Sequence, residues 1–467
     1  MRDHPWWRSA LRTVDPRPDA RLKAALGVPS ILLLAVGSVV GTGVFVILGV
    51  AVPMAGPAVI ASFILAGVAC LMSGLSYAEV ASRLPGSGSV YSYAYASVGE
   101  GIAWLVGWCF ILEYSVGLAA VSVGWGDYLG EAISQVLGVV VPVPISGAPA
   151  AGGIIDLPAI TVVIAGAWIV SRGVHDSARV NALLVGLKLA LLGFFCVVAF
   201  TAFEPTRLVP FFATGVAGML AASSQLIFAY NGFDAAAVAG GEARNPRRAI
   251  PIAIVGAIGV IILVYVLVAT AAVGAWPWTN FTGASGEASL TLIAQEVSGS
   301  TLVGEVMSIG IVVAIVSTIL AGLYTLSRIA FTMSSDGLLP RSLSRVSPRT
   351  HTPAQATWIL AAFIALLAGF TPLEALTSAV SLGTLLALIV VNISVLVLRR
   401  HRSDLPRGFR VPLGPSIPIL AIAVNGFLMT RIRASTWLVF AAWIGIGIAI
   451  YLLYGIRKGP PGLPSTR

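Results

Sequence analysis

The sequence predicts an all-α protein that crosses a lipid bilayer many times. Its 467 residues are 57% hydrophobic and 10% charged, with a mean hydropathy of +0.94, whereas soluble domains carry about 25% charged residues. Apolar runs of about 20 residues, the length that spans a bilayer as a helix, recur along the chain. We therefore expect a single helix bundle in the lipid bilayer rather than several soluble domains.

Twelve segments are apolar enough and long enough to be predicted spans. Their bounds are 29–51, 57–77, 97–125, 155–171, 178–202, 216–240, 250–275, 301–332, 354–370, 375–398, 413–430 and 435–455. Residues 1–27 and 457–467 are polar and form the predicted N-terminal and C-terminal tails.

The basic residues lie mainly on one side of this arrangement. Of 28 lysines and arginines, all but Lys188, Arg207, Arg431 and Arg433 fall in the two tails or in the loops of that same side. Because loops rich in Lys and Arg stay in the cytoplasm, we expect a multi-pass protein of the cell membrane with both termini cytoplasmic. The net charge of +9 therefore follows from topology and indicates no nucleic-acid partner.

The sequence lacks the motifs of the common enzyme classes. It contains no Walker A loop, no HExxH and no serine elbow, each of which has a defined spacing. The four histidines fall in the N-terminal tail or in polar loops. The three cysteines fall inside apolar spans, where we interpret them as small core residues. We therefore expect no catalytic residue, no metal and no cofactor.

Three ionisable side chains lie deep in predicted spans: Glu113, Lys188 and Asp234. Lys188 is nine residues past Arg179, which corresponds to roughly 13–14 Å of helix. A lysine at that depth costs about 2.5–3.5 kcal/mol on insertion scales. Such charges usually face the interior of a bundle and mark a pathway or a paired site. The alternative is a structural pair, in which Lys188 and a carboxylate lock helices together.

The first and the sixth predicted spans contain residues that interrupt a helix. The first reads ILLLAVGSVVGTGVFVILGV, with Gly37, Gly41 and Gly43 near its centre, and the sixth contains FAYNGFD, with Asn231 and Gly232. Each glycine weakens a helix by about 1 kcal/mol, although Gly37 and Gly41 alone also fit a GxxxG packing face. Matching interruptions five spans apart are typical of transporters built from two inverted repeats.

Two such breaks together have a specific binding chemistry. The unwound start of a half-helix exposes backbone N–H groups and a positive dipole end, which bind a carboxylate. The unwound carbonyl groups face an ammonium group instead. Irregular backbone at this depth is tolerated only around a cavity or in the protein interior. The two breaks therefore suit the zwitterionic head group of an α-amino acid.

Six segments, taken in order, carry a resemblance to a known family. They are GSVVGTGVF, YAEVASRLPGSGSVYSYAYASVGE, GWCFILEYSVG, SARVNALLVGLKLALL, FAYNGFDAAAVAGGEARNPRRAIP and SRIAFTMSSDGLLPRSLSRVSPRTHTP. Over roughly residues 20 to 455, the chain resembles the cationic amino acid transporter branch of the amino acid–polyamine–organocation superfamily. The resemblance implies secondary active transport of amino acids. It also implies a LeuT-like fold, with inverted five-helix repeats in residues 28–202 and 203–400 and two extra helices in residues 401–456.

The same resemblance implies the residues of a substrate site. The N–H groups that would bind the substrate carboxylate belong to Gly41, Thr42 and Gly43. The carbonyl groups that would face the α-amino group belong to Val39, Phe228 and Asn231, and the ring of Phe228 would serve as an external lid. The carboxylates that would line the pocket beside the substrate side chain belong to Glu113 and Asp234.

The resemblance also implies that Lys188 couples transport to protons. Its ammonium group would stand where sodium-coupled relatives bind a sodium ion. There it would bridge a carbonyl group near Gly37 or Ser38 with the hydroxyl group of either Ser317 or Thr318. The charged lysine would link the first, fifth and eighth spans, and the neutral lysine would release them.

Three positions depart from the family pattern. Gly241 replaces the first acid of the usual GEE…NP motif, and Ser335 replaces the arginine of SRDGLLP. Both positions are predicted on the cytoplasmic side, so they concern an inner gate more than the substrate. Asn231 stands where an apolar residue is common and adds a polar side chain to the site.

The leading prediction is proton-coupled import of cationic amino acids such as arginine, lysine and ornithine, because two carboxylates suit a guanidinium or ammonium group. If one carboxylate only neutralises Lys188, the substrate is instead a small neutral amino acid such as alanine. Exchange of amino acids or amines uses the same architecture. A channel is the remote alternative, because the polar groups cluster at one depth. The sequence does not specify an accessory subunit.

Overall fold

The structure, a computed structural model, describes residues 27–41, 43–84, 90–97, 99–172, 178–238, 243–281, 289–347, 350, 352–401 and 408–455. Both predicted tails, apart from Gly27, lie outside the described residues. Thr42 and Gly241, which belong to the predicted carboxylate site and the predicted inner gate, also lie outside them.

The described residues fold almost entirely into helices. In chain order the α-helices are α1 (Val28–Val39), α2 (Leu48–Ala55), α3 (Val59–Arg83), α4 (Val90–Ser97), α5 (Glu100–Leu137), α6 (Leu157–Ser171), α7 (Ala178–Thr201), α8 (Gly215–Leu226), α9 (Ala235–Val238), α10 (Pro246–Ala275), α11 (Ser289–Ser298), α12 (Thr301–Ser335), α13 (Ala354–Phe370), α14 (Leu373–His401), α15 (Ser416–Met429) and α16 (Ala434–Ile450).

Seven helical stretches in the described part of the chain are long and apolar enough to cross a membrane. They comprise α2 with α3, residues Ala182–Thr201 of α7, and the helices α5, α10, α12, α14 and α16. The prediction of an all-helical, polytopic membrane protein is therefore confirmed. Four further apolar helices, α1, α6, α13 and α15, are shorter, and the count of twelve spans stays a prediction.

The first predicted span is interrupted at its glycines. Helix α1 ends at Val39, Val40 is extended with φ −72° and ψ 109°, and α2 begins only at Leu48. Gly41 has a φ of +139°, a backbone conformation that residues with a Cβ atom rarely adopt. A 3₁₀ turn, Gly56–Ala58, then joins α2 to α3.

The sixth predicted span is interrupted in the same manner. Helix α8 ends at Leu226 and passes into a 3₁₀ turn, Ile227–Tyr230. Asn231 is extended and Gly232 has a φ of +109°, after which the short α9 follows. The Asn-Gly pair therefore marks the point where the helical hydrogen bonding stops.

Helix α5 is the centre of the bundle and packs against α6, α12, α13 and α14. Helix α16 is fixed to α5 by an exchange between two tryptophans. The rings of Trp108 and Trp443 stack with centroids 4.4 Å apart. The Trp108 indole N–H donates to the Trp443 carbonyl at 2.9 Å, and the Trp443 indole N–H donates to the Trp108 carbonyl at 3.1 Å.

Candidate substrate site

A cavity lies where the two breaks meet α5 and α12. Its polar and aromatic wall is formed by Ser38, Tyr114, Phe228, Asn231, Thr318 and Thr325. The other lining residues are small or aliphatic: Gly117, Leu118, Gly232, Ala235, Ala321 and Gly322. No carboxylate is among these lining residues, so the wall of the pocket is largely uncharged.

The two breaks touch each other through glycines. A Cβ atom on Gly43 would lie 2.5 Å from the backbone of Ala229, and a Cβ atom on Gly232 would lie 3.1 Å from the Ser38 carbonyl oxygen. A side chain at Gly43 would therefore push the second break away from the first. The close approach of the two unwound segments depends on these glycines.

Backbone N–H groups are available where the first break leads into α2. Among the described residues, none accepts a hydrogen bond from the N–H of Gly41 or Gly43. The Ile47 N–H donates to the Gly43 carbonyl at 3.0 Å, so a helical turn that leads into α2 starts at Gly43. Free N–H groups at a helix start are a suitable binding site for a carboxylate.

Tyr265 of α10 connects the carbonyl groups of the two breaks. Its hydroxyl oxygen lies 3.1 Å from the Val39 carbonyl oxygen and 3.0 Å from that of Ala229. A phenol has one proton, so it donates to one of these carbonyls at a time. The Val39 carbonyl, a predicted ligand of the substrate amino group, therefore also has a donor in the protein.

Phe228 is among the residues that line the cavity, and the role of its ring as an external lid stays a prediction. Its carbonyl, another predicted ligand, accepts the Asn231 N–H at 3.2 Å within the turn. The Phe228 carbonyl is thus engaged within the turn and keeps a second lone pair for an ammonium group.

Lys188 is only 1% exposed and links three helices. Its Nζ donates to the Gly37 carbonyl of α1 at 3.0 Å and to the Thr318 hydroxyl of α12 at 2.7 Å. Lys188 therefore contacts the first and eighth predicted spans, as the sequence suggested. Of the two candidate carbonyl groups, that of Gly37 accepts its hydrogen bond, and not that of Ser38.

Ser317, the other predicted partner of Lys188, forms its hydrogen bond within its own helix instead. Its hydroxyl donates to the Ala314 carbonyl of its own helix at 2.8 Å. Consecutive residues of an α-helix point about 100° apart, so only one of Ser317 and Thr318 can face Lys188. Gly41 lies against this contact, since a Cβ atom there would be 2.4 Å from the Thr318 hydroxyl oxygen.

The two predicted carboxylates are buried and are not among the residues that line the cavity, so their role beside the substrate side chain stays a prediction. Glu113 accepts the Thr384 hydroxyl at 2.7 Å on Oε1, and its Oε2 has no hydrogen-bond partner among the described residues. Asp234 accepts the Tyr114 hydroxyl at 2.9 Å. Buried carboxylates require donors, and the donor to Asp234, Tyr114, is itself a residue of the cavity wall.

Lys188 does not pair with a carboxylate among the described residues, so the alternative of a structural ion pair that locks the helices does not hold there. In the part of the chain that the structure describes, both hydrogen-bond partners of Lys188 are neutral. Glu113 and Asp234 have Thr384 and Tyr114 as their partners instead. Sequence reasoning missed Tyr114, Tyr265 and Thr384: the two tyrosines stand in largely apolar runs without a distinguishing pattern, and the spacing of Ser378, Ser381 and Thr384 on one helix face was the signal that could have indicated Thr384.

Paired helix breaks around a buried pocket define a class of protein, the membrane permeases that carry small molecules. The chain belongs to the amino acid permease family, whose sequence profile, described as "Amino acid permease", matches residues 26–458. This is a family of transport proteins rather than enzymes.

Individual relatives differ in the substrates that their names give. The chain is 39% identical to the branched-chain amino acid permease BcaP of Bacillus subtilis, over 93% of each chain. It is 38% identical to the methylthioribose transporter of the same organism, over 93% of this chain and 94% of that protein. It is 33% identical to the vacuolar cationic amino acid transporter 4 of Arabidopsis thaliana, over 89% and 70% respectively.

Proposed function

We propose that the chain is a secondary active importer of α-amino acids that works by alternating access. The observation that carries the proposal is the cavity where the two breaks meet, together with the N–H groups of Gly41 and Gly43 in the first break, which have no acceptor among the described residues. The substrate carboxylate binds these N–H groups, and its ammonium group faces the carbonyls of the breaks.

The proposal includes a LeuT-like arrangement of twelve membrane-spanning segments, with five spans in residues 28–202, five in 203–400 and two in 401–456. The breaks support it, because they interrupt the first span of each proposed repeat. The distribution of arginine supports cytoplasmic termini in the cell membrane.

We further propose that the substrate has an uncharged aliphatic side chain. Seven of the twelve residues that line the cavity are Gly, Ala, Leu or Phe, and none carries a charge, so the wall suits an apolar group and offers no counter-charge to a cation. The name of the Bacillus subtilis relative BcaP, a branched-chain amino acid permease, agrees with this side-chain class.

Cationic amino acids are the second candidate substrates. Oε2 of Glu113 is buried and has no partner in the described residues, so it is available to a guanidinium or ammonium group that reaches past the wall. Relatives named cationic amino acid transporters, 33% identical to this chain, agree with that alternative. Asp234 is less available, because Tyr114 already donates to it.

The proposed driving force is a proton gradient that acts through Lys188. In its charged form the lysine donates to Gly37 and Thr318 and holds α1, α7 and α12 together. Loss of a proton removes the charge that strengthens both hydrogen bonds, and the helices can then separate. Proton release from Lys188 thereby accompanies the change of access.

Uptake by purified protein in sodium-free liposomes tests the proposal. With an inward proton gradient, labelled leucine should accumulate, and unlabelled isoleucine should compete at lower concentration than arginine. The Lys188→Met variant should lose gradient-driven accumulation. Sodium-dependent uptake that ignores the pH gradient would contradict the coupling, and competition by methylthioribose but by no amino acid would contradict the substrate class.

A Glu113→Gln variant separates the two side-chain classes. Gln keeps an acceptor for Thr384 but removes the charge, so leucine uptake should remain within about threefold if the substrate is aliphatic. If arginine competes in the unmodified protein and stops competing in this variant, the cationic alternative is correct. Counterflow without a gradient measures exchange, the remaining alternative mode.

A further inference from the structure

The second break is held by a side chain from another helix. The hydroxyl of Ser381, on α14, accepts the Phe228 N–H at 3.2 Å and donates to the Gln225 carbonyl at 2.9 Å. These two backbone groups flank the point where α8 becomes a 3₁₀ turn. Ser381 therefore satisfies backbone groups at the place where the helical pattern changes.

Ser381 is one of three hydroxyls spaced three residues apart on α14. Ser378 accepts the side-chain amide of Gln225 at 2.5 Å, and Thr384 donates to Glu113 at 2.7 Å. All three hydroxyl residues are buried. Because residues three apart share a helix face, this hydroxyl row joins the second break to the buried carboxylate of α5.

Helix α14 runs without interruption from Leu373 to His401, whereas the break that it contacts consists of a 3₁₀ turn and extended residues. The side chain of Phe228 is 1% exposed and forms part of the cavity wall. The Ser381 contact to the Phe228 N–H is thus a direct link between a continuous helix and the backbone that carries this ring.

We propose that Ser381 is a positioning residue for substrate binding. It does not touch the substrate. It fixes the backbone of residues 225–228 to α14 and so sets the position of the Phe228 ring and carbonyl at the cavity. The inference rests on the proposed function, because it requires a substrate in this cavity.

Thr377 provides a matched control on the same helix. It is also fully buried, but its hydroxyl donates to the Glu374 carbonyl of α14 itself at 3.1 Å. Removing it eliminates a buried hydroxyl of α14 without touching the second break. A general loss of packing or of hydroxyl groups would affect both positions, whereas a positioning role affects only Ser381.

The experiment compares Ser381→Ala, Ser381→Thr and Thr377→Ala in liposome uptake. Loss of two hydrogen bonds should raise KM about tenfold in Ser381→Ala, with the maximal rate within about twofold. Ser381→Thr keeps the hydroxyl and should restore KM to within about threefold of the unmodified protein, and Thr377→Ala should retain the unmodified KM. Substrate-induced thermal stabilisation in detergent should show the same order of affinities.

An unchanged KM in Ser381→Ala, or an equal rise in Thr377→Ala, overturns the inference. A fall in maximal rate and thermal stability without a change in KM also overturns it, since that result indicates packing alone. If Ser381→Ala does not fold, Ser381→Cys supplies the same comparison with a weaker hydrogen-bonding group. If the unmodified protein transports and binds no amino acid, the proposed function itself has failed, which is a distinct result.

Discussion

Replacing Thr318 with valine removes one of the two acceptors of Lys188 and nearly preserves side-chain shape. In the structure, the Lys188 ammonium group donates to Thr318 at 2.7 Å and to the Gly37 carbonyl at 3.0 Å. The variant retains only the second contact. We expect Thr318→Val to weaken the link between α7 and α12 and to impair proton-driven transport.

The size of the effect follows from the charge of the donor. A hydrogen bond to a charged group contributes about 1.5–3 kcal/mol, and 1.4 kcal/mol is about a tenfold factor. Because Lys188 is only 1% exposed, water does not readily replace the lost acceptor. Gradient-driven uptake by Thr318→Val should therefore fall by about 10- to 150-fold.

Ser317→Ala is the matched control, because it removes the neighbouring hydroxyl of the same helix. Ser317 donates to Ala314 within α12 at 2.8 Å, and its removal leaves both Lys188 contacts intact. Initial rates in sodium-free liposomes with an imposed pH gradient measure both variants, after correction for reconstituted protein. Ser317→Ala should stay within about twofold of the unmodified protein.

Two results would refute this reasoning. Unchanged gradient-driven uptake in Thr318→Val would mean that its contact with Lys188 is not needed for coupling. An equal loss in Ser317→Ala would mean that α12 tolerates neither change, and that the Lys188 contact is not the cause.

Three further variants test other parts of the structure. Gly41→Ala places a side chain on a backbone with positive φ, which costs about 1–3 kcal/mol, and its Cβ atom displaces Lys188 and Thr318 from each other, so uptake should be lost. Gly193→Ala is the control, because there is open space at its Cβ position, and it should retain uptake. Tyr265→Phe removes one neutral donor, about 0.5–1.5 kcal/mol, and should lower affinity about 2- to 13-fold in thermal-shift titrations. Glu79→Ala leaves Arg83 and Arg399 without their buried carboxylate partner, a loss that costs about 3–5 kcal/mol. It should lower the unfolding temperature in detergent far more than Glu374→Ala, whose exposed pair with Arg433 contributes about 0–1 kcal/mol.

The positions of the two helix breaks could be predicted because their signals are local. Gly41 and Gly43 favour unwinding through their own backbone freedom, and Asn231–Gly232 is a poor helix-forming pair wherever it occurs. The sequence also predicts that Lys188 is buried and has polar partners, since a charge inside an apolar run needs them. Each of these inferences requires only the residues near the position itself.

The partners across helices could not be predicted in the same way. Whether Thr318 or Ser317 meets Lys188 depends on the rotation of α12 about its axis, and both lie in the same polar interruption. Tyr265 is a single hydroxyl in an apolar run and Ser381 is one of several hydroxyls on its helix, and only the packing of α10 and α14 brings them to the breaks. Glu113 shows the same limit, because Thr384 lies 271 residues away in the chain.

The two hydrogen-bond partners of Lys188 are neutral, which favours a lysine that can lose its proton over a permanent structural ion pair. If a buried lysine is paired with a carboxylate, loss of its proton leaves an uncompensated negative charge, at a cost of several kcal/mol. Gly37 and Thr318 are dipoles without net charge, so the neutral amine leaves no charge behind. The two buried carboxylates have their own hydroxyl donors. Under the proposed proton coupling, Lys188 would therefore exchange its proton without breaking the hydrogen bonds of Glu113 and Asp234.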